Sequence, residues 1–274
     1  MNIRKIITWA ETQFQNLEKP RLEAEVLLAE VLQCNRVFLK THPEKDIPFW
    51  KELLYKKFVQ KRKDHIPLAY IIGYKDWGEM RIFVNEHVLI PRDETEILCH
   101  TIIDQERSFI PHRIFDIGTG SGNIALFLAK NIPDSFVIGV DISHKALKMA
   151  THNAIKNNIS NVRFLHGNLV AGLAEKKFDI IVANLPYIPT NMKLAPEVLN
   201  EPPGALFAGS DGLDVLRMFA GQIANQKFEF RELWLEFLPS QKEEVTHIFQ
   251  QYTTKFFQDA GRNVFFAQIT VKGS

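Results

Sequence analysis

The stretch Arg113-Ile114-Phe115-Asp116-Ile117-Gly118-Thr119-Gly120-Ser121-Gly122 decides the fold. Its first half is a short apolar run of the kind that forms a buried strand, and three alternating glycines then break it. Beyond them Ile124, Phe127 and Leu128 recur at helical spacing, and Phe136-Val137-Ile138-Gly139-Val140 is a second strand-like run that ends on Asp141. Strand, glycine turn, helix and strand in that order make a βαβ unit. From Pro91 onward such alternation continues, which predicts an α/β domain with a largely parallel sheet and helices on both faces.

Glycines let a backbone turn sharply and approach a ligand closely, and the following helix offers free N–H groups. Asp141 lies roughly 20 residues on, the spacing at which an acidic side chain meets a ribose hydroxyl pair. The unit is therefore expected to bind a nucleoside. The spacing G-x-G-x-G differs from the G-x-G-x-x-G of dinucleotide sites and lacks the Gly-Lys-Ser/Thr of a P-loop, which disfavours a pyrophosphate. Asp116, two residues before the first glycine, suits a cation better than a phosphate, although a strand-end carboxylate bonded to loop N–H groups is an equally good reading of that residue alone. S-adenosylmethionine, with a sulfonium and an ammonium and no phosphate, meets these conditions.

A third apolar run, Phe178-Asp179-Ile180-Ile181-Val182-Ala183, breaks into Asn184-Leu185-Pro186-Tyr187. A strand ending this way presents an amide and an aromatic ring where open α/β sheets bind ligands, though a plain turn with proline as breaker is the simpler account of the tetrapeptide by itself. The Asn184 side-chain oxygen and a flanking backbone carbonyl could hold both hydrogens of an –NH2 group. The expected substrate carries a planar amino or amide nitrogen.

Asp116 to Gly122, Val140-Asp141-Ile142-Ser143, Ala150 with Asn153, and Asn184 to Tyr187 resemble the motifs of class I S-adenosylmethionine-dependent methyltransferases that act on amino groups. More specifically, Leu89-Ile90-Pro91-Arg92-Asp93-Glu94-Thr95-Glu96 resembles the I-P-R-x-x-T-E element of the HemK-type release factor glutamine methyltransferases. Glu201-Pro202, Ala205-Leu206, Gly209-Ser210-Asp211-Gly212-Leu213 and Glu236 with Gln241 are similar to that family's later elements, and Ile66 to Gly73 to the segment ahead of its catalytic domain. The resemblance covers nearly the whole chain. It implies a Rossmann-like methyltransferase sheet, S-adenosylmethionine as cofactor, and the glutamine of the Gly-Gly-Gln loop of class 1 peptide chain release factors as methyl acceptor.

By the same resemblance Asp116, Gly118, Thr119, Gly120, Ser121, Gly122, Asp141, Asn168, Leu169 and Asn184 are the expected cofactor set. Asn184, Pro186 and Tyr187 are the expected catalytic residues, with Leu185, Arg92 and Glu201 beside them on the substrate side. For Arg92 and Glu201 a structural salt bridge is an equal expectation. Two departures stand out. Leu185 replaces the second-position proline of the family's Asn-Pro-Pro-Tyr, restoring a backbone N–H and freeing φ. Asn168 stands where the family often has Asp, and its amide oxygen can still accept from an adenine amino group. Asn-Leu-Pro-Tyr also resembles the motif of ribosomal RNA adenine dimethyltransferases, so the tetrapeptide leaves adenine N6 of RNA or DNA open as acceptor.

The 274 residues carry a formal net charge of +1, too weak for a strong electrostatic attraction to nucleic acid. Lys56, Lys57, Lys61, Arg62 and Lys63 form a basic cluster, read as a solvated helix face that could also contact RNA or an acidic partner. Cys34 and Cys99 lack metal-ligand spacing, and reduced thiols are expected. No signal peptide pattern and no bilayer-length apolar run appears, so a cytoplasmic enzyme without a membrane is expected.

Three parts are predicted: a helical substrate-recognition domain at 1–73, an extended hairpin linker at 74–90, and a methyltransferase domain at 91–274. Ala24, Leu27, Leu28 and Val31 follow helical spacing in the first. Arg81 to Val84 and Val88 to Ile90 are read as extended. Late strands are expected at 233–237, 252–258 and 264–269, the last two an antiparallel pair across Asp259 to Arg262. Trp9, Trp50, Trp77 and Trp234 are read as packing residues.

Overall fold

The structure, a computed structural model, describes residues 1–105, 113–258 and 265–272. The chain divides into two compact units, Met1–Gly73 with Ala195–Asn200, and Tyr74–Leu194 with Glu201–Ser274. The linker expected at 74–90 thus belongs to the second unit, and a six-residue segment from the second half of the chain belongs to the first.

In the first unit five helices, α1 (Ile3–Gln13), α2 (Pro20–Leu32), α3 (Arg36–Thr41), α4 (Phe49–Lys63) and α5 (Leu68–Ile72), enclose a core that includes Ile6, Leu27, Leu28 and Tyr55. Asn2 and Asn35 cap α1 and α3 through their side-chain oxygens, and proline opens α2 at its first position. The buried Tyr55 hydroxyl donates to the Ala24 carbonyl at 2.9 Å. Two expectations are corrected here. Arg62 does not belong to a solvated face: it is 4% exposed and pairs with Glu23 and Glu197, while Asn200 donates to the His65 carbonyl. Trp50 is 63% exposed, beside exposed Phe49 and Leu53, and does not pack into the core, because these residues occupy the opposite side of α4 from Tyr55 and Val59.

The second unit opens with a hairpin, β1 (Tyr74–Trp77) and β2 (Met80–Phe83), whose two-residue turn Gly78-Glu79 has positive φ at both positions, as a tight hairpin of right-handed twist requires. Val88 to Ile90, expected to be extended partners, form no strand. The Ile90 N–H instead donates to the Glu201 carboxylate. There follow α6 (Asp93–Gln105), β3 (Arg113–Ile117), α7 (Asn123–Asn131), β4 (Phe136–Asp141), α8 (His144–Lys156), β5 (Val162–His166), β6 (Lys177–Ala183), α9 (Asp214–Gln226), β7 (Glu229–Phe237), α10 (Lys242–Ile248), β8 (Tyr252–Gln258) and β9 (Phe265–Val271). The seven strands from β3 to β9 order as β5-β4-β3-β6-β7-β9-β8, with β9 antiparallel to β7 and to β8 and the other pairs parallel. The turn expected at Asp259 to Arg262 lies outside the described residues.

Strand alternation sends Phe115, Ile117, Ile181, Leu233 and Leu235 into one cluster with Leu216, Phe219 and Ile223 of α9 and Val245 of α10. The intervening residues Asp116 and Glu236 therefore face the other side, where Asp116 meets the start of α7 and Glu236 meets α6. β3 and β6 are neighbours, although β4, β5 and two helices separate them in the chain, and their carboxyl ends pair at Ile117 and Ala183. Strand order reverses there, and a crevice opens beyond those ends.

Candidate active site

A cavity of about 470 Å³ fills the crevice, within the usual range for a small-molecule site. Gly118 and Gly120 form one wall, at φ +72° and +55°, and Asp141, Ile142 and Ser143 continue it. Asn168 and Leu169 enter from the loop after β5, and Asn184, Leu185 and Pro186 from the end of β6. Val88, Leu89, Pro202, Ala205, Val215 and Met218 line it too, an apolar contribution that sequence reasoning missed because these residues are scattered over two connecting segments and a helix. Among the described residues no lysine or arginine lines the cavity, and His87 is its one basic side chain, a poor match for a polyphosphate.

The glycine loop is held from two sides. Asp141 accepts from the Gly120 N–H and the Ser143 N–H, each at 2.8 Å. Burial raises the Asp141 carboxyl above the ordinary aspartate value, and those N–H donors oppose the rise. Asp116 lies behind the loop, not in the cavity wall. Its Oδ2 accepts from the Thr119 hydroxyl at 2.6 Å and from the Ala125 N–H at 3.2 Å. The N-cap of α7 is Gly122, which has no capping side chain, and Asp116 satisfies an orphan N–H of that helix from the strand below. Burial pushes the Asp116 carboxyl up to about 7, against the pull of Thr119 and Ala125.

Thr119, Ser121 and Gly122 likewise sit behind the lining. Gly122 packs so close to α8 that a Cβ on it would stand 3.0 Å from the Ala150 Cβ. Asn153, fully buried, donates to the carbonyls of Ser121 and Phe83 and accepts from the Phe83 N–H, joining loop, helix and hairpin.

A smaller cavity of about 40 Å³ shares Asn184, Leu185 and Leu89 with the large one and adds Arg92, Tyr187 and Ile188. Leu185 is buried against the glycine loop, its Cδ2 only 3.3 Å from where a Gly118 Cβ would lie. Arg92 and Glu201 meet each other: an Arg92 guanidinium nitrogen lies 2.5 Å from Glu201 Oε1, and the other Glu201 oxygen accepts from the Ile90 N–H at 2.9 Å. Of the two expectations for this pair, the salt bridge describes the geometry.

The Asn184 side-chain nitrogen donates to Thr95 Oγ1 at 3.0 Å, Thr95 donates to Glu236 Oε2 at 2.8 Å, and the Tyr187 hydroxyl donates to Glu236 Oε1 at 3.0 Å. The Tyr187 carbonyl accepts from Gln241, which also holds the Asp211 carbonyl and, through its own oxygen, the Leu238 N–H. Burial and the Glu236 charge drive the Tyr187 phenol well above its ordinary value, so it stays a donor. Thr95, Glu236 and Gln241 had no assigned role in the sequence. The signal in the sequence was their place in the family-like elements Leu89 to Glu96 and Glu236 with Gln241, together with a carboxylate inside the apolar run Leu233 to Phe237.

The residues present fit S-adenosylmethionine: a carboxylate at Asp141 in the cavity wall, glycine backbone that admits close approach, and a largely apolar lining without lysine or arginine among the described residues. Among the described residues no helix is long and apolar enough to cross a membrane. Residues 5–73 match the PrmC N-terminal domain, and residues 112–252 match a methyltransferase domain. The catalytic domain of hMettl16, solved in complex with MAT2A 3′UTR hairpin 6, shares the fold with a TM-score of 0.55 at 15% identity over 82% of each chain. The release factor glutamine methyltransferase of Bacillus anthracis is 34% identical over 259 residues, 92% of this chain and 91% of that one. With the protein of the same name from Buchnera aphidicola subsp. Schizaphis graminum the identity is 36% over 269 residues, 96% of this chain and 97% of that one. Likeness of that extent runs through both units and the loops around the cavity, and the chain belongs to the release factor glutamine methyltransferase family.

Proposed function

We propose that this chain methylates the side-chain amide nitrogen of the glutamine in the Gly-Gly-Gln loop of class 1 peptide chain release factors. S-adenosylmethionine, implied by membership of a methyltransferase family, would supply an electrophilic methyl group. Asp141 is the candidate to hold its ribose, with Gly118, Gly120, Asn168 and Leu169 shaping the rest of the large cavity. The observation that carries the reading is Asn184. It lines both cavities and gives its nitrogen to Thr95, which leaves its amide oxygen to accept from a ligand.

An amide nitrogen is a weak nucleophile because its lone pair is delocalised, so the residues must position it more than activate it. Asn184 Oδ1 and the Leu185 carbonyl accept its two hydrogens and turn its lone pair toward the large cavity. Pro186 fixes the turn. The Tyr187 ring, tethered through its hydroxyl to Glu236, bounds the small cavity on which the flat acceptor packs. Arg92 and Glu201, tied to each other, brace that entrance. A release factor as substrate entails a cytoplasmic enzyme.

The test is transfer of labelled methyl from S-adenosylmethionine to unmodified release factor, with ribosomal RNA and duplex DNA as parallel acceptors. Label is expected on the factor only, at the Gly-Gly-Gln glutamine, and is expected to vanish when that residue is Ala. In the chain itself Asn184→Ala should lose transfer while cofactor affinity stays within about tenfold, since one polar side chain is removed from the wall. Label on adenine would reject the reading.

A further inference from the structure

We propose that Thr95 and Glu236 are positioning residues that hold the Asn184 amide with its oxygen toward the methyl acceptor. The inference rests on the reading of Asn184 as the acceptor's clamp, but its physical content is a property of the folded chain alone.

Proton count fixes the orientation of the amide. An ionised carboxylate only accepts hydrogen bonds, whereas a hydroxyl has one hydrogen to give. Glu236 takes that hydrogen from Thr95 and takes the Tyr187 hydroxyl hydrogen on its other oxygen. Thr95 Oγ1 then has only lone pairs left for Asn184, so the amide must present its NH2. An Asn amide has two faces of opposite polarity, and fixing one fixes the other. If Glu236 were protonated, it could donate to Thr95, and the Thr95 hydrogen would turn toward Asn184 and select its oxygen. The NH2 would then face the acceptor's own NH2, donor against donor. Polarity thus reaches the end of β6 from Glu236 on β7 by two routes that agree, through Thr95 on α6 and through the Asn184 amide's own attraction to the Glu236 carboxylate.

Burial makes the state of Glu236 responsive near neutrality. Desolvation pushes its carboxyl up to about 7, while Thr95, Tyr187 and the Asn184 amide pull it down and Glu94 pushes it further up. Cys99 on α6 senses the same charge together with Asp116 and Glu96, and the positive charge of Arg92 acts on Tyr187 against the rise of its phenol. From β9 the cross-strand partner is the apolar Phe266. The carboxylate, and with it the productive amide orientation, gains population as pH rises through about 7.

The direct test is an NMR titration of the Asn184 side-chain 15NH2 pair in the full-length, cofactor-free protein, assigned by its loss in Asn184→Ala. The pair should move with a midpoint near the Glu236 value. That movement should disappear in Glu236→Gln, persist in Thr95→Ser, and persist in Asp116→Asn, which removes the other buried acid. A pair that does not titrate, or that titrates unchanged in Glu236→Gln, overturns the relay whatever the substrate proves to be.

Kinetics with release factor supply the second arm. Thr95→Val should lower kcat by about tenfold or more with the KM for S-adenosylmethionine unchanged, and Thr95→Ser should restore it to within about threefold, as expected when one oriented hydrogen bond is lost and regained. Full activity in a folded Thr95→Val variant also overturns the relay. A wild-type chain that labels no release factor, yet shows the titration, would reject the proposed substrate and leave the relay standing.

Discussion

Asp116 keeps one oxygen on Thr119 and on the α7 backbone, and its Oδ1 has no hydrogen-bond partner among the described residues. Such a group is costly to ionise, which is why its carboxyl rises from 3.8 to about 7. Between those two values the folded chain keeps a proton that the unfolded chain has released. Its contribution to stability is therefore full below the lower value and declines as pH rises through the upper one, by at most about 1.4 kcal/mol per pH unit. Glu236, raised from 4.5 to about 7, adds a decline of the same sign. Thermal melts of the cofactor-free protein should accordingly fall from about pH 4 to about pH 7 and level off above it. In Asp116→Asn, which keeps the acceptor for Thr119 and Ala125, the fall should be smaller; an equal fall would mean that Asp116 is not the titrating group. Sequence alone marked Asp116 as important through its place before the glycines. Its position behind the wall could not be read, because whether a strand-end carboxylate faces a ligand or a helix end depends on which face of the sheet it occupies.

At the level of elements, the contact between the glycine loop and α8 is set by two small residues. Gly122 sits at φ +83°, and a Cβ there would also press on Ala150. Gly122→Ala should destabilise the fold by about 2–3 kcal/mol, combining the left-handed backbone cost with overpacking. Adding Ala150→Gly should recover at most part of the packing cost, because the Ala150 Cα and Phe164 Cζ still stand 3.2 Å from the new Cβ and a glycine inside α8 costs about 1 kcal/mol, which chemical denaturation of the two single variants and the double variant would resolve. A full recovery would mean that backbone conformation contributes nothing. The strands around this loop were legible because β-branched runs buried on both faces have few alternative readings. Val88 to Ile90 were misread for the same reason in reverse: an apolar run says that residues are buried, and the Glu201 carboxylate, not a neighbouring strand, receives the Ile90 N–H. Trp50 was misread because helical periodicity does not say which side of α4 meets the core.

At the scale of the whole molecule, the alternation of strands and helices announced the second unit and the apolar helices the first. No pattern announced that Ala195–Asn200 would join the first unit, since those six residues carry no periodicity and their place is fixed by two long-range contacts. Arg62 is the centre of the more important one, nearly buried between Glu23 and Glu197. Arg62→Ala should cost the first unit about 2–3 kcal/mol, below the usual figure for breaking a buried pair because Glu197 remains partly hydrated. Denaturation followed by a reporter in the first unit would check this, and an unchanged midpoint would demote the contact to a surface pair. The six-residue excursion also bears on modularity. The chain enters the first unit twice, so a junction placed after Gly73 severs only one of the two passages. A chimera that exchanges residues 1–73 with those of a relative inherits a mismatched patch unless residues 195–200 travel with them, and a protease nick after Gly73 would leave the pieces holding together until denaturant separates them.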